Sequence, residues 1–340
     1  MDKRIKILYG DCAKVLKKIG AESVDLIVTD PPYNLSKDYG NNGDNLHHDD
    51  YMAFSRKWLN EAKRVLKPTG TIYVFMGVRY ISYIYMILEQ ELGFHFNSWI
   101  TWSYTQGIGK TKGFSPRHDD ILMFTKSNEF KFNLDSVRVP QKYYRDINNM
   151  RGANPGNVWE FSHIHYCQAN RQNHPTQKPE ALFERMILAS SDENDIVLDP
   201  FSGSGTSLRV CQQTNRNGIG IEMNKDYVNM TKERIAQPFY GFDSIDERME
   251  RVPNDLNDAV IRQEYIDNHV KWFLGNHPDK VKKFLDAARQ KYPTKTVQLD
   301  INNFIGGATK QDDSSALQME LGETDNYPQT NVNLLRPVNG

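Results

Sequence analysis

Residues 195–206 read Asp-Ile-Val-Leu-Asp-Pro-Phe-Ser-Gly-Ser-Gly-Thr. The apolar run Ile196-Val197-Leu198 predicts a short buried parallel strand, and the helix-compatible run Thr206–Gln213 follows at once. Between them stands a Gly-rich turn, Phe201-Ser202-Gly203-Ser204-Gly205, that lets backbone N–H groups approach a nucleotide-like ligand at a helix start. Working outward, Gly218-Ile219-Gly220-Ile221-Glu222 predicts the next strand, and Lys225–Ile235 and Pro179–Ser190 predict helices on either side. A second apolar run, Val24-Asp25-Leu26-Ile27-Val28, also reads as a buried strand, and it ends in Asp30-Pro31-Pro32-Tyr33. A strand end of that kind presents a carboxylate, carbonyls that no helix absorbs, and an aromatic ring.

The remaining pattern alternates strand and helix. Strands are predicted at Ile5–Tyr9, Thr71–Met76, Phe96–Tyr104 and Ile121–Lys126, the last two antiparallel. Helices are predicted at Cys12–Ile19, Met52–Leu66 and Tyr80–Leu92; in the second, Phe54, Trp58, Leu59, Ala62, Val65 and Leu66 share a face and Lys67-Pro68-Thr69-Gly70 stops it. The polar run 36–45 reads as a mobile loop. The parts are residues 1–127 and 174–238 as two portions of one α/β core, 128–173 as an insertion without periodicity, 239–304 as a helical extension (helices near 254–274 and 279–291), and 305–340 as a flexible tail.

The 39% hydrophobic and 25% charged fractions are those of a soluble globular chain. No run approaches the length of a membrane span, so no membrane partner is expected. Cys12, Cys167 and Cys211 are too few and too scattered for a disulfide framework, which fits a reducing cytoplasm. His47-His48-Asp49-Asp50 and His163-x-His165-x-Cys167 resemble metal sites by composition only, and no metal is expected: adjacent residues cannot all reach one ion. With 42 basic and 43 acidic residues the chain is no general polyanion binder. Residues 101–178, however, carry 11 Lys and Arg against 6 Asp and Glu, which makes this stretch the candidate nucleic-acid face. Within it Lys131, Arg138, Lys142 and Arg145 suit phosphates, and Arg151, Asn170 and Arg171 suit base edges.

The pairing of Asp30-Pro31-Pro32-Tyr33 with Phe201-x-Gly203-x-Gly205 resembles the amino-group DNA methyltransferases, which use S-adenosylmethionine (AdoMet). The catalytic motif precedes the cofactor motif, the permuted order of that family's beta group. Gly10-Asp11-Cys12 and His174-Pro175-Thr176-Gln177-Lys178-Pro179 match where that order places them, and the resemblance spans roughly residues 5–237. It implies a Rossmann-like mixed sheet with one antiparallel strand and helices on both faces, and a target-recognition role for 128–173. It also implies DNA and AdoMet as partners, a homodimer, and action on the bacterial nucleoid. Asp30, Pro31, Pro32 and Tyr33 would then serve the flipped base. Asp11, Cys12, Asp30, Lys178, Asp199, Pro200, Phe201, Gly203, Ser204, Gly205, Thr206 and Glu222 would border the cofactor, with Lys178 on its carboxylate, Asp199 on its ammonium and Glu222 on its ribose. Asp at position 30 favours adenine N6; cytosine-N4 enzymes more often carry Ser there, and RNA or protein amide methyltransferases Asn. A nicotinamide oxidoreductase would want a third Gly or Ala where Leu208 stands.

Overall fold

The computed structural model describes residues 3–36, 44–104, 109–139, 152–161, 163–164, 172 and 174–237, and the backbone of Val297–Asp300 and Ala316–Met319. The chain divides into two compact units, residues 1–137 with 154–249, and residues 138–153 with 250–340. The first holds an eight-stranded sheet. Its elements are β1 (Ile5–Tyr9), α1 (Cys12–Leu16), β2 (Val24–Thr29), α2 (His48–Val65), β3 (Leu66–Met76), α3 (Ile81–Met86), β4 (His95–Ser103), β5 (His118–Thr125), β6 (Val158–Glu160), α4 (Glu180–Ser190), β7 (Ile196–Asp199), α5 (Thr206–Gln213), β8 (Asn217–Glu222) and α6 (Lys225–Ala236).

The strand order is β1-β8-β7-β2-β3-β5-β4-β6. Every pairing is parallel except those of β5 with β3 and β4, so β5 is the one antiparallel strand in the sheet. Strand alternation sorts the core. Ile27, Ile72 and Val74 face α1, α2 and α3, whereas Leu26, Val28, Tyr73 and Phe75 face α4 and α5. Each such side chain, fully withdrawn from water, contributes roughly 1.5–3 kcal/mol. The helix after β2 thus covers one face and the helix after β7 the other. Between these neighbouring strands the connections run in opposite directions, and the crevice at their C-terminal ends is where ligands bind in such sheets.

Several elements depart from the sequence-based reading. α2 begins at His48, four residues early, with Asp49 and Asp50 in its first turn, where acids suit the helix dipole. Lys67-Pro68-Thr69-Gly70 ends that helix yet belongs to β3, with a register shift between the Val24 and Leu26 pairings. After α3 the helix widens into a π-helical turn, Ile87–Glu91. At the N-terminal edge of the sheet, Asp25 accepts Lys67 Nζ at 2.6 Å and Ile196 N at 2.9 Å, joining β2, β3 and β7. Lys131 stands at this same edge, its ammonium on Asp192 and Asp195 at 2.7 and 2.5 Å. The pairs tie the segment after β5 to the loop before β7, at the opposite end of the strands from the crevice, so the expected phosphate role has to compete with them.

In the second unit, β9 (Val297–Asp300) and β10 (Ala316–Met319) pair antiparallel, the latter within the stretch read as a tail. Arg138 donates to the Gly152 carbonyl at 2.9 Å, beside a bridge between Val139 and Ala153. The helices read near 254–274 and 279–291, most of the loop 36–45, Lys142, Arg145, Arg151, Asn170 and Arg171 lie outside the described residues. Among the described residues no helix is long and apolar enough to cross a membrane.

Candidate active site

The C-terminal ends of β2 and β7 open on a cavity of about 260 Å³. Phe201, Ser202, Gly203, Ser204 and Thr206 of the Gly-rich turn line it, with Asp11 and Cys12 from the start of α1, Glu222 from the end of β8, and Asp30 and Lys178. Asp199 and Pro200 line it too, so of the expected cofactor residues all but Gly205 border one cavity.

The turn is held in shape from behind. Gly203 and Gly205 take left-handed φ angles of 49° and 74°; a Cβ on Gly205 would stand 2.4 Å from Thr231 Cγ2, and one on Gly203 2.9 Å from His174 Nε2. Arg234, paired with Glu180 at 2.6 Å, also donates to the Ser204 carbonyl at 3.1 Å. Phe201 sets its ring edge-on to Phe54 and Trp58 of α2, 6.0 and 5.3 Å between centroids.

Two carboxylates expected to meet the cofactor are engaged by the protein. Asp199 accepts Phe201 N at 3.1 Å and Ser207 Oγ at 2.5 Å, so it braces the turn. Burial pushes its carboxyl up to about 7, against the pull of those donors. Glu222 accepts Gly203 N at 2.9 Å on one oxygen and Asn224 N at 2.7 Å on the other, and burial raises its carboxyl too. Each carboxylate oxygen has a second lone pair, so Glu222 can still receive a hydroxyl. Asp11 caps α1 by accepting Lys14 N at 3.0 Å, and Cys12 behind it is a buried thiol that desolvation raises.

On the other side of the cavity is the Asp30 cluster. Lys178 Nζ donates to Asp30 Oδ2 at 2.8 Å, lies 3.4 Å from Tyr33 Oη and 4.0 Å from Asp119 Oδ2. The ammonium also faces the rings of Tyr33, Phe75 and Trp102 at 5.2, 5.4 and 5.9 Å, a desolvated cation–π setting. Lys178 therefore sits on Asp30 and Tyr33, where the expectation placed it on a cofactor carboxylate. Asp30 Oδ1 is buried and has no hydrogen-bond partner among the described residues, an acceptor in want of a donor. The Pro32 carbonyl is taken by Tyr51 Oη at 2.7 Å, and the Tyr33 ring packs on Gly77, where a Cβ would stand 3.1 Å away.

Asp119, at the start of the antiparallel strand, joins the cluster without any motif in the sequence to mark it. Its carboxyl is raised chiefly by burial, with Lys178 pulling the other way. Asp44, Leu46, Phe54, His174, Thr176 and Tyr227 also line the cavity, beyond the residues expected there. For His174 and Thr176 the motif around Lys178 was the available signal. For Asp44, whose carboxylate accepts Asn34 N and Leu35 N at 2.7 and 3.2 Å, nothing in the polar run pointed to it.

A family profile described as DNA methylase matches residues 24–233. The Type II methyltransferase M.HpaI of Haemophilus parainfluenzae is 64% identical over 299 residues, covering 88% of this chain and 95% of that protein. The DNA adenine methyltransferase YhdJ of Escherichia coli K12 is 39% identical over 243 residues, 67% of this chain and 82% of its own length. Among solved structures, the M1.HpyAVI–SAM complex superposes with a TM-score of 0.51 at 26% identity, over 68% of this chain and all of that one. The cytosine-N4-specific PvuII DNA methyltransferase superposes with a TM-score of 0.57 at 19% identity over 78% of this chain and 95% of that one, a likeness of fold. With the cofactor turn and the Asp30 cluster meeting at one cavity, the chain belongs to the DNA methylase family of AdoMet-dependent enzymes that methylate exocyclic amines.

Proposed function

We propose that the enzyme methylates the N6 amine of a flipped adenine at a specific DNA site, in a restriction–modification or stand-alone modification role. The observation that carries this is Asp30 Oδ1, a buried acceptor with no partner among the described residues, on a residue that lines the cavity. An adenine amine is a weak nucleophile because its lone pair is delocalised into the ring. Asp30 Oδ1 accepts one N–H, and the Pro31 carbonyl accepts the other, since the Pro32 carbonyl is spent on Tyr51. Drawing both hydrogens to one side favours a tetrahedral nitrogen with its lone pair free, and the same acceptors stabilise the positive charge that develops on it. Tyr33, backed by Gly77, offers its ring to the base. Lys178 holds Asp30 in register through Oδ2 and leaves Oδ1 for the amine.

The cavity residues fit AdoMet: the Gly-rich turn supplies backbone, Glu222 keeps a free lone pair for ribose hydroxyls, and Phe201 and Cys12 supply apolar wall. When bound, the cofactor supplies an electrophilic methyl group. The adenine reading also draws support from Asp at position 30 and from the relative named as an adenine methyltransferase. The test is mass spectrometry of nucleosides from DNA incubated with the enzyme and methyl-labelled AdoMet. Labelled N6-methyladenine is expected; labelled N4-methylcytosine refutes the reading.

A further inference from the structure

The loop between β4 and β5 carries an apolar side chain that takes no part in the core or the cavity. Phe114 is 100% exposed, the largest exposure of any apolar residue described. Lys110 and Lys112 beside it are exposed as well, and Arg117 is half-buried at the loop's root. Among the described residues no carboxylate is paired with any of the three. Gly109 and Gly113 enclose the two lysines, Gly113 directly precedes Phe114, and a Cβ on either glycine would meet nothing within 4 Å. Lys110 N donates to Ser115 Oγ at 2.8 Å, which gives the presented stretch an internal tie.

β5 is antiparallel, so its start lies beside the end of β3: Asp120 pairs with Met76, and Ser103 with His118. Both roots of the loop therefore stand on the sheet edge that carries Asp30. They also touch the site. Tyr104 Oη lies 3.5 Å from Asp119 Oδ1, and Asp119 Oδ2 lies 4.0 Å from the ammonium on Asp30.

We propose that residues 109–117 form a duplex-contacting hairpin in which Phe114 inserts into the base stack beside the extruded target, while Lys110, Lys112 and Arg117 hold the flanking phosphates. This rests on the reading of Asp30–Tyr33 as the pocket of a flipped base. A ring on a cation-flanked tip fits one class of partner well. Phosphates neutralise the cations, and the space vacated by an extruded base receives the apolar ring that water otherwise surrounds. An apolar wedge of this kind offsets the loss of stacking that flipping incurs.

The experiment uses the full chain and duplexes built on the site that the wild-type enzyme methylates, mapped by methylation-sensitive sequencing. Substituting 2-aminopurine for the target base reports extrusion by fluorescence. Phe114→Ala should cut kcat/KM on matched duplex by roughly tenfold or more, with a smaller fluorescence rise and unchanged affinity for the demethylated cofactor product. A mismatch opposite the target, which weakens the stack in advance, should restore the variant to within about threefold of wild type. Lys110→Ala with Lys112→Ala should lower the slope of log affinity against log salt by about two, one for each phosphate no longer neutralised. Wild-type kcat/KM and fluorescence in Phe114→Ala would overturn the proposal. So would a loss that the mismatch does not rescue, or a change of oligomeric state on removing the ring, which would place Phe114 in a protein interface. The adenine reading is tested by the wild-type product alone, so its failure and the hairpin's show in different measurements.

Discussion

Removing the Asp30 carboxylate should damage the enzyme twice, by separable amounts. Asp30→Ala takes away the amine acceptor, and it also strips Lys178 of its 2.8 Å partner while the ammonium stays 7% exposed. Breaking a buried pair from one side costs about 3–5 kcal/mol when nothing replaces the lost charge. Here Asp119 remains, 4.0 Å from the ammonium. At an effective dielectric near 20, charges at about 4 Å retain roughly two thirds of the attraction they have at about 2.8 Å. The residual cost is therefore about 1–2 kcal/mol, a fall in Tm of roughly 2–8 °C for a domain of this size. The catalytic loss is larger: an acceptor aimed at developing charge is worth on the order of 10²–10³ in turnover. Asp30→Asn keeps a carbonyl acceptor and should fall between wild type and alanine on both scales. Single-turnover transfer of a labelled methyl group, thermal unfolding and calorimetric titration with the demethylated cofactor product read the three quantities apart, and the last should barely move. Asp30→Ala retaining more than about a tenth of wild-type turnover would refute the acceptor role. An unchanged Tm would refute the claim that Lys178 depends on it.

Asp199 predicts an unusual pH dependence. Its folded carboxyl, near 7, lies above its unfolded value, so the native state holds the proton more tightly. As pH rises from the ordinary carboxylate range towards 7, this group withdraws up to about 1.4 kcal/mol of stability per pH unit, and the loss levels off above that. Urea unfolding of the cofactor-free protein should show wild type falling relative to Asp199→Asn across that window; a difference that rises with pH would contradict the burial argument. Gly205→Ala combines a left-handed φ with a Cβ 2.4 Å from Thr231 Cγ2, for roughly 2–5 kcal/mol of loop distortion. Titration with the demethylated cofactor should weaken at least about tenfold, and adding Thr231→Ala should return part of it; full affinity in the single variant would show that the turn is not rigid. Lys131→Ala should leave DNA affinity and its salt slope unchanged while lowering stability by about 1 kcal/mol or less, as its ion pairs are half in water. A flattened salt slope would place Lys131 on the DNA face instead.

The parts of the site legible in sequence are those where strand end and chemistry are contiguous. Asp30 to Tyr33 follow β2 directly, and Phe201 to Gly205 fill the gap between β7 and α5, so periodicity and motif pointed to the same place. What escaped depends on contacts between distant segments. Lys178 and Asp119 are 59 residues apart and meet only because the antiparallel β5 brings its start to the crevice. Residue type alone could not show the acids beside Lys131: Asn133 N donates to the Ala189 carbonyl, and that docking carries the neighbouring lysine to the acids before β7. Asp199 and Glu222 were identified as important carboxylates, but a sequence cannot show that the turn's own N–H and O–H groups already occupy them.

The pairing of β1 with β8 has a kinetic consequence. Ile5 to Tyr9 align with Gly218 to Glu222, so among the described residues this strand's one neighbour in the sheet is made about two hundred residues after it. At roughly 5–20 residues per second, that is on the order of 10–40 s during which the segment has no ladder to join. Closing so long a separation late is what slows folding in chains rich in non-local contacts. Lys6, carried between Ile5 and Ile7, is the kind of charge that keeps an unpaired strand from joining a stranger. The edge that borders the cavity is therefore the last part of the sheet to be supplied, and an interrupted translation product lacking β8 also lacks Glu222 and Ile221 of the cavity wall, so a ligand of that cavity has less to stabilise.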